Sequence, residues 1–171
     1  KIINSNRCLR ISERGNRKMP KKHITLNSRL LTDDYICHTP QETFELGEKL
    51  GETLQEGEVI LLEGGLGAGK TLFTKGILNS LEFDVNEVTS PSFTLVNLYE
   101  AKLTVYHLDL WRIEKNAAFA VGLDEILEDE KAIVIIEWSE RLGDFSFSNK
   151  VLRVTIEGDG DDVRNIKIIS E

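Results

Sequence analysis

The run Gly64-Gly65-Leu66-Gly67-Ala68-Gly69-Lys70-Thr71 fits the pattern G-x-x-x-x-G-K-[ST] without a mismatch, and it constrains this chain more than any other stretch. Glycines let a loop take positive φ and bring backbone N–H groups close to an anion. A helix that starts at the loop then points its positive end at the phosphates. In such a loop Lys70 reaches the β- and γ-phosphates as a mobile point charge, and the Thr71 hydroxyl is a ligand for Mg²⁺. Gly65, Leu66, Gly67, Ala68, Gly69, Lys70, Thr71 and the following Leu72 are the expected nucleotide contacts.

The flanks agree with the loop. Val59-Ile60-Leu61-Leu62 is a continuous apolar run, as expected of a parallel strand covered on both faces. After Thr71, the residues Leu72, Phe73, Ile77, Leu78 and Leu81 recur at helical spacing. Strand, loop and helix in that order predict an α/β fold of the P-loop NTPase type, with a mostly parallel central sheet flanked by helices. The C-terminal end reads as an antiparallel hairpin. Leu152, Val154 and Ile156 share one face against Arg153, Thr155 and Glu157, and a turn-prone Gly158-Asp159-Gly160-Asp161-Asp162 separates them from residues 163–169.

A length of 171 residues suggests one domain that can bury a substantial core without disulfides. Cys8 and Cys37 are too few and too far apart for a metal knuckle or a disulfide framework. No apolar run approaches the roughly 18 residues of a membrane span, and no secretory h-region is present, so a cytoplasmic protein without membrane contact is expected. The net charge of −8 hides an asymmetry: residues 1–32 hold nine Lys or Arg against one acid, and the remainder twelve against 28. An acidic body is a poor direct binder of nucleic acid, because phosphate neutralisation supplies most of such affinity. Any RNA connection is expected to run through a partner.

Residues 1–32 show no clear period and read as a basic, disordered extension, with a single domain over 33–171. The only methionine is Met19. It suggests a start there preceded by upstream sequence, a transit peptide, or a genuine basic extension. Thr39-Pro40-Gln41-Glu42 is a helix start, with Thr39 as N-cap, Pro40 at N1 and Glu42 completing a capping box. Phe44, Leu46, Leu50 and Leu54 then form its apolar stripe. Val88 to Leu95 is hydroxyl-rich and interrupted by Pro91, and therefore a strand end or loop. Residues 103–110 read as a strand, 117–127 as a helix broken or kinked at Gly122, and 132–136 as the most apolar strand.

Phosphoryl transfer needs a held phosphate chain, a metal and a positioned attacking group. Ile133 to Glu137 is four apolar residues closed by a carboxylate, the place where a strand-end acid meets Mg²⁺, and Glu137 is expected to reach the metal through water. Asp109 is the other strand-end acid; it would orient the attacking water or a metal-bound water, or else pair with Arg112. His107 lies two residues earlier on the same face and reads as hydrogen-bonded support. Ser92 and Thr94 are candidate contacts to the γ-phosphate or metal. Trp111 and Trp138 are aromatic core candidates, with Trp138, beside Glu137, the better candidate for a contact with substrate or partner. Lys70, Asp109 and Glu137 are thus the expected catalytic set.

A GTPase is disfavoured, since Asn149-Lys150 is followed by Val151-Leu152 and no N-K-x-D motif exists. A small-molecule kinase would need an arginine-bearing lid, and Arg112, Arg141 and Arg153 do not cluster in one segment. A non-hydrolysing nucleotide-dependent adaptor is the third reading.

Glu63 to Thr71, Ser90 to Leu95, His107 to Arg112 and Glu137 to Glu140 together resemble the TsaE (YjeE) family of bacterial tRNA threonylcarbamoyladenosine synthesis. The resemblance covers roughly residues 38–170. Family members have the form L-x-G-D-L-G-A-G-K-T, S-P-T-[FY]-T-L, H-x-D-L-Y-R and E-W-P-E. This chain departs from it with Gly65 for Asp, Leu72 for a second Thr, Ser92 for Thr, Trp111 for Tyr and Ser139 for Pro. Ser92 and Trp111 preserve the hydroxyl and the aromatic ring, whereas Gly65 and Leu72 remove polar groups beside the phosphate. The resemblance implies ATP as substrate, Thr71 and Glu137 as Mg²⁺ ligands, phosphates held by Lys70 and the loop amides, and a need for Asp109 and Trp138. It also implies work with a transferase complex of two paralogous subunits, of the TsaB and TsaD type. ATP hydrolysis there is of low intrinsic rate and supports repeated turnover of the complex.

Overall fold

A computed structural model describes residues 9–10, 33–114, 122–160 and 163–171. Its elements in chain order are β1 (Leu9–Arg10), β2 (Asp33–Cys37), α1 (Pro40–Gly51), β3 (Val59–Glu63), α2 (Lys70–Ser80), β4 (Val96–Glu100) and β5 (Thr104–Asp109). They continue with α3 (Leu123–Leu127), β6 (Ile133–Glu137), β7 (Val151–Glu157) and β8 (Arg164–Ser170). The strands form one sheet in the order β1-β2-β8-β7-β3-β6-β5-β4. Its centre is parallel, β7 on β3, β3 on β6 and β6 on β5, and its flanks are antiparallel. The α/β class, the parallel centre and the C-terminal hairpin are all as the sequence predicts.

Alternation on the central strands builds two cores. Ile60, Leu62, Ile133 and Ile135 face α1 and α2, while Val59, Leu61, Val134 and Ile136 face Leu110, Leu123 and Leu142 on the other side. β3 and β6 are therefore apolar at every position before the closing glutamate, because both faces are covered. β8 alternates instead: Arg164, Ile166 and Ile168 are buried and the residues between them exposed, since its second face is open.

α1 starts as expected at Thr39, whose hydroxyl accepts from Glu42 N–H at 3.2 Å. The return bond of the capping box goes elsewhere: Glu42 Oε2 accepts from the His38 N–H, one residue before the cap, at 2.7 Å. The apolar stripe also differs. Leu46 and Leu50 are buried, but Phe44 is only half-buried and Leu54 lies beyond the helix end. The buried face is completed by Thr43, Gly47 and Gly51. Glycines sit there because α1 and α2 cross backbone to backbone. A Cβ on Gly47 would lie 2.3 Å from the Phe73 carbonyl oxygen, and one on Gly76 2.1 Å from that of Phe44.

Of the helix expected over 117–127, α3 supplies Leu123–Leu127, opened by Gly122 at φ 66°; residues 117–121 lie outside the described residues. β4 was not anticipated in sequence terms. Only Tyr99 among its five residues is buried, so it carries no alternating signal, and it is held by antiparallel pairing to β5. Residues 88–95 form the expected loop. Within the N-terminal 32 residues, Leu9–Arg10 pairs with Tyr35 and Ile36 of β2; the remaining ones lie outside the described residues. No helix among the described residues is long and apolar enough to cross a membrane.

Candidate active site

β3 delivers the chain to the loop and α2 carries it away, with Gly64, Gly67 and Gly69 at φ 146°, 81° and 106°. These values suit glycine and allow the N–H groups at the start of α2 to face one cleft. The cleft holds about 430 Å³. Its walls include Leu66, Gly67, Gly69, Lys70, Thr71 and Leu72 from the loop and helix, Ser90 and Ser92 from the hydroxyl-rich loop, and Asp109, Glu137 and Trp138 from the ends of β5 and β6. Gly65 and Ala68 do not line it. Ala68 is buried beneath the loop, and a Cβ on Gly65 would meet nothing within 4 Å.

Asp109 and Glu137 are brought side by side by sheet register: they are direct partners across the parallel β5–β6 pair. Glu137 Oε1 accepts from Thr71 Oγ1 at 2.8 Å and lies 2.9 Å from His107 Nε2. With Nε2 donating to the carboxylate, His107 is fixed in orientation, and its fully buried Nδ1 is left without a partner. Oε1 thus takes both side-chain donors and, among the described residues, Oε2 takes none, which leaves one carboxylate oxygen to the cleft. His107 stands behind the acid and not in the cleft, as read from the sequence.

Asp109 accepts from Ser90 Oγ at 2.8 Å and from the Trp111 N–H at 2.8 Å. Both its oxygens are engaged, so it ties the hydroxyl-rich loop to the end of β5. It does not pair with Arg112, the alternative left open by the sequence. The Arg112 guanidinium sits 4.3 Å from the ring centre of Phe93 at the cleft wall. Thr94 faces away from the cleft and donates to Asn97 Oδ1 at 2.9 Å.

Lys70 is almost fully buried, and its ammonium donates to the carbonyls of Gly64 and Gly65 at 2.7 and 2.9 Å. The same nitrogen lies 3.8 Å from the ring centre of Trp138. Burial lowers the Lys70 pKa below the ordinary lysine value, against the opposing pull of Glu137, Glu140 and Asp109. Trp138 follows Glu137 at φ 59°, a conformation rare for a bulky residue, and stacks on Trp111 with ring centres 4.4 Å apart. That turn is what carries its indole over the lysine.

Among the described residues, no group of three or more His, Cys, Asp or Glu could hold a metal by themselves. One hydroxyl and one carboxylate, both hard oxygen donors, fit Mg²⁺ instead. That ion keeps most of its waters and binds through one or two side chains together with substrate phosphates. Sequence reasoning missed Ser90, whose only signal is its place in the same loop as Ser92, and Arg164, which lies behind the phosphate loop.

The chain is similar to several known proteins. The model of the family described as threonylcarbamoyl adenosine biosynthesis protein TsaE matches residues 37–166. A TsaE protein of a Nostoc strain is 46% identical over 106 residues, which are 60% of this chain and 65%, just under two thirds, of that relative. TsaE of Bacillus subtilis is 34% identical over 74% of this chain and 78% of its own length, and TsaE of Mycobacterium tuberculosis 35% identical over 86% and 90%. Among solved structures, YdiB of Bacillus subtilis superposes with a TM-score of 0.65 at 28% identity, covering 84% of this chain and 88% of that one.

Proposed function

This chain belongs to the TsaE family, and from that premise we propose that it is the Mg²⁺-dependent ATPase that serves bacterial tRNA N6-threonylcarbamoyladenosine modification. It binds and hydrolyses ATP as an accessory to a transferase complex of two paralogous subunits of the TsaB and TsaD type. The observation that carries this reading is the Thr71–Glu137 contact inside a phosphate-loop cleft, with Glu137 Oε2 left to the cleft.

In this reading the amides at the start of α2 and the Lys70 ammonium bind the polyphosphate. Lys70 leaves the Gly64 and Gly65 carbonyls to do so. Thr71 and Glu137 would hold Mg²⁺, which, when bound, neutralises charge on the β- and γ-phosphates. His107 keeps the Glu137 carboxylate in its rotamer. Asp109 holds Ser90, and with it the Ser92 loop, against the phosphate end of the cleft. The acidic body leaves tRNA contact to the partners.

Steady-state ATP hydrolysis by the full chain, alone and with the two transferase subunits, tests the proposal. A slow basal rate that rises clearly with the subunits is expected. Tight MgATP binding without hydrolysis in either condition would leave a nucleotide-dependent adaptor. No stimulation by a demonstrably active complex would remove the partner assignment.

A further inference from the structure

The hairpin of β7 and β8 ends against the back of the phosphate loop. A Cβ on Gly64 would come 2.4 Å from the Ile156 carbonyl oxygen, and one on Gly67 2.9 Å from Asp159 Oδ1. Arg164, the first residue of β8, is 3% exposed. Its Nε donates to the Ala68 carbonyl at 2.8 Å, and its Nη2 donates to the Gly160 carbonyl. A Cβ on Gly69 would stand 3.2 Å from the same Nε, and one on Gly158 3.1 Å from Arg164 Cγ, so loop and turn close around this one side chain.

The Ala68 carbonyl and the Gly69 N–H belong to one peptide group. A charge-assisted donor on that carbonyl polarises the amide and strengthens the N–H as a donor on its other side. A guanidinium keeps its charge at any working pH, so the hydrogen bond to the Ala68 carbonyl stays charge-assisted throughout. Lys70 meets an anion directly; Arg164 reaches it through a peptide.

We propose that Arg164 is a positioning residue for the phosphate loop, which makes the C-terminal hairpin part of the anion-binding site. The inference rests on the nucleotide reading above. It predicts that the charge on Arg164 sets phosphate affinity, beyond any part the side chain has in holding the fold.

Arg164→Gln keeps a donor and removes the charge, whereas Arg164→Lys keeps the charge and removes the fork. Binding of MgATP and of inorganic triphosphate is measured by calorimetry for the full chain and both variants, with melting temperature and the kcat of ATP hydrolysis alongside. For Arg164→Gln the Kd of both ligands rises about 10-fold, the scale of one charge-assisted hydrogen bond, and kcat at saturating ATP stays within about 2-fold. Arg164→Lys stays within about 3-fold of wild type in Kd, whichever variant melts lower. A folded Arg164→Gln protein with wild-type Kd overturns the proposal, as does a folded Arg164→Lys protein whose Kd rises as far as that of Arg164→Gln. If Arg164→Gln does not fold, an Arg164→Lys protein with Kd raised 10-fold or more overturns it, and one within about 3-fold supports it. A wild-type protein that binds neither ligand removes the nucleotide reading and this inference with it; binding of triphosphate without ATP removes only the choice of nucleotide.

Discussion

On its open side the phosphate loop faces Thr71, Glu137, Asp109 and Trp138, each inside a short motif; on its hidden side it rests on Ile156, Asp159 and Arg164, which belong to none. The open side is assembled by register, since the ends of two paired parallel strands put Asp109 beside Glu137. The hidden side is assembled by packing, with backbone against backbone and one buried arginine between. Groups that touch a ligand are restricted in type and spacing by the ligand's chemistry. Groups that support the loop are restricted only by shape, and many residue types leave the same trace in a sequence.

The largest expected effect is on the open side. Asp109→Ala releases Ser90 and the Trp111 N–H, and kcat for ATP hydrolysis falls roughly 1,000-fold, within the range seen for groups that organise proton transfer. The Kd of ATP stays within about 3-fold by equilibrium binding. Normal turnover in this variant would erase Asp109 from the machinery and shift weight to the hidden side. Next, Lys70→Ala raises the Kd of MgATP on the order of 100-fold, since it deletes a mobile cation that reaches the phosphates. A change of less than about 3-fold would show that the backbone alone holds the anion.

Gly76→Ala sharpens the comparison from behind. Its methyl would press on the Phe44 carbonyl, so the protein loses about 1–3 kcal/mol and its melting temperature drops about 2–10 °C, while the folded fraction binds ATP normally. A rise in Kd without a fall in melting temperature would mean that the α1–α2 crossing transmits directly to the loop.

A smaller effect follows from the buried state of Lys70. Its pKa is lowered in the free protein by burial, and bound phosphates raise it again. At a pH above the lowered value ATP binding therefore takes up a fraction of a proton; at a pH well below it the lysine is already charged and takes up none. Calorimetry in two buffers of different ionisation enthalpy reads this directly, and equal buffer dependence at both pH values would contradict it. The smallest effect is that of Gly65→Asp, which enters open space and changes stability by no more than about 0.5 kcal/mol in a denaturant titration.

Much of the fold was legible because its centre is regular. Val59 to Glu63 and Ile133 to Glu137 are apolar runs closed by an acid, and their short length and β-branched residues favour a strand over a buried helix segment. β4 was not legible, since its pairing with β5 is made by backbone groups and its side chains bury only Tyr99. Several residues at the front of the cleft could be named from the sequence, with His107 behind Glu137, but Ser90 could not, and Gly65, Ala68 and Thr94 were expected there and do not line it. What escaped was conformation and contact. That Lys70 is folded onto its own loop beneath Trp138, and that Arg164 lies under Gly69, depend on φ at Trp138 and on the distant turn that follows β7 at Gly158. Neither leaves a pattern of spacing.

The side-by-side placement of Asp109 and Glu137 has a consequence for how this chain tolerates length changes. Residues gained or lost in the β4–β5 turn at 101–103 leave the pairing of Thr104–Asp109 with β6 untouched, and cost only the Lys102 N–H bond to the Leu81 carbonyl and the packing of Ala101 and Leu103. One residue gained or lost between Val105 and Asp109 reverses every side chain beyond it, burying the acid's neighbours in its place and turning the carboxylate out of the cleft. The first change loosens one corner of the sheet; the second takes the paired acids apart.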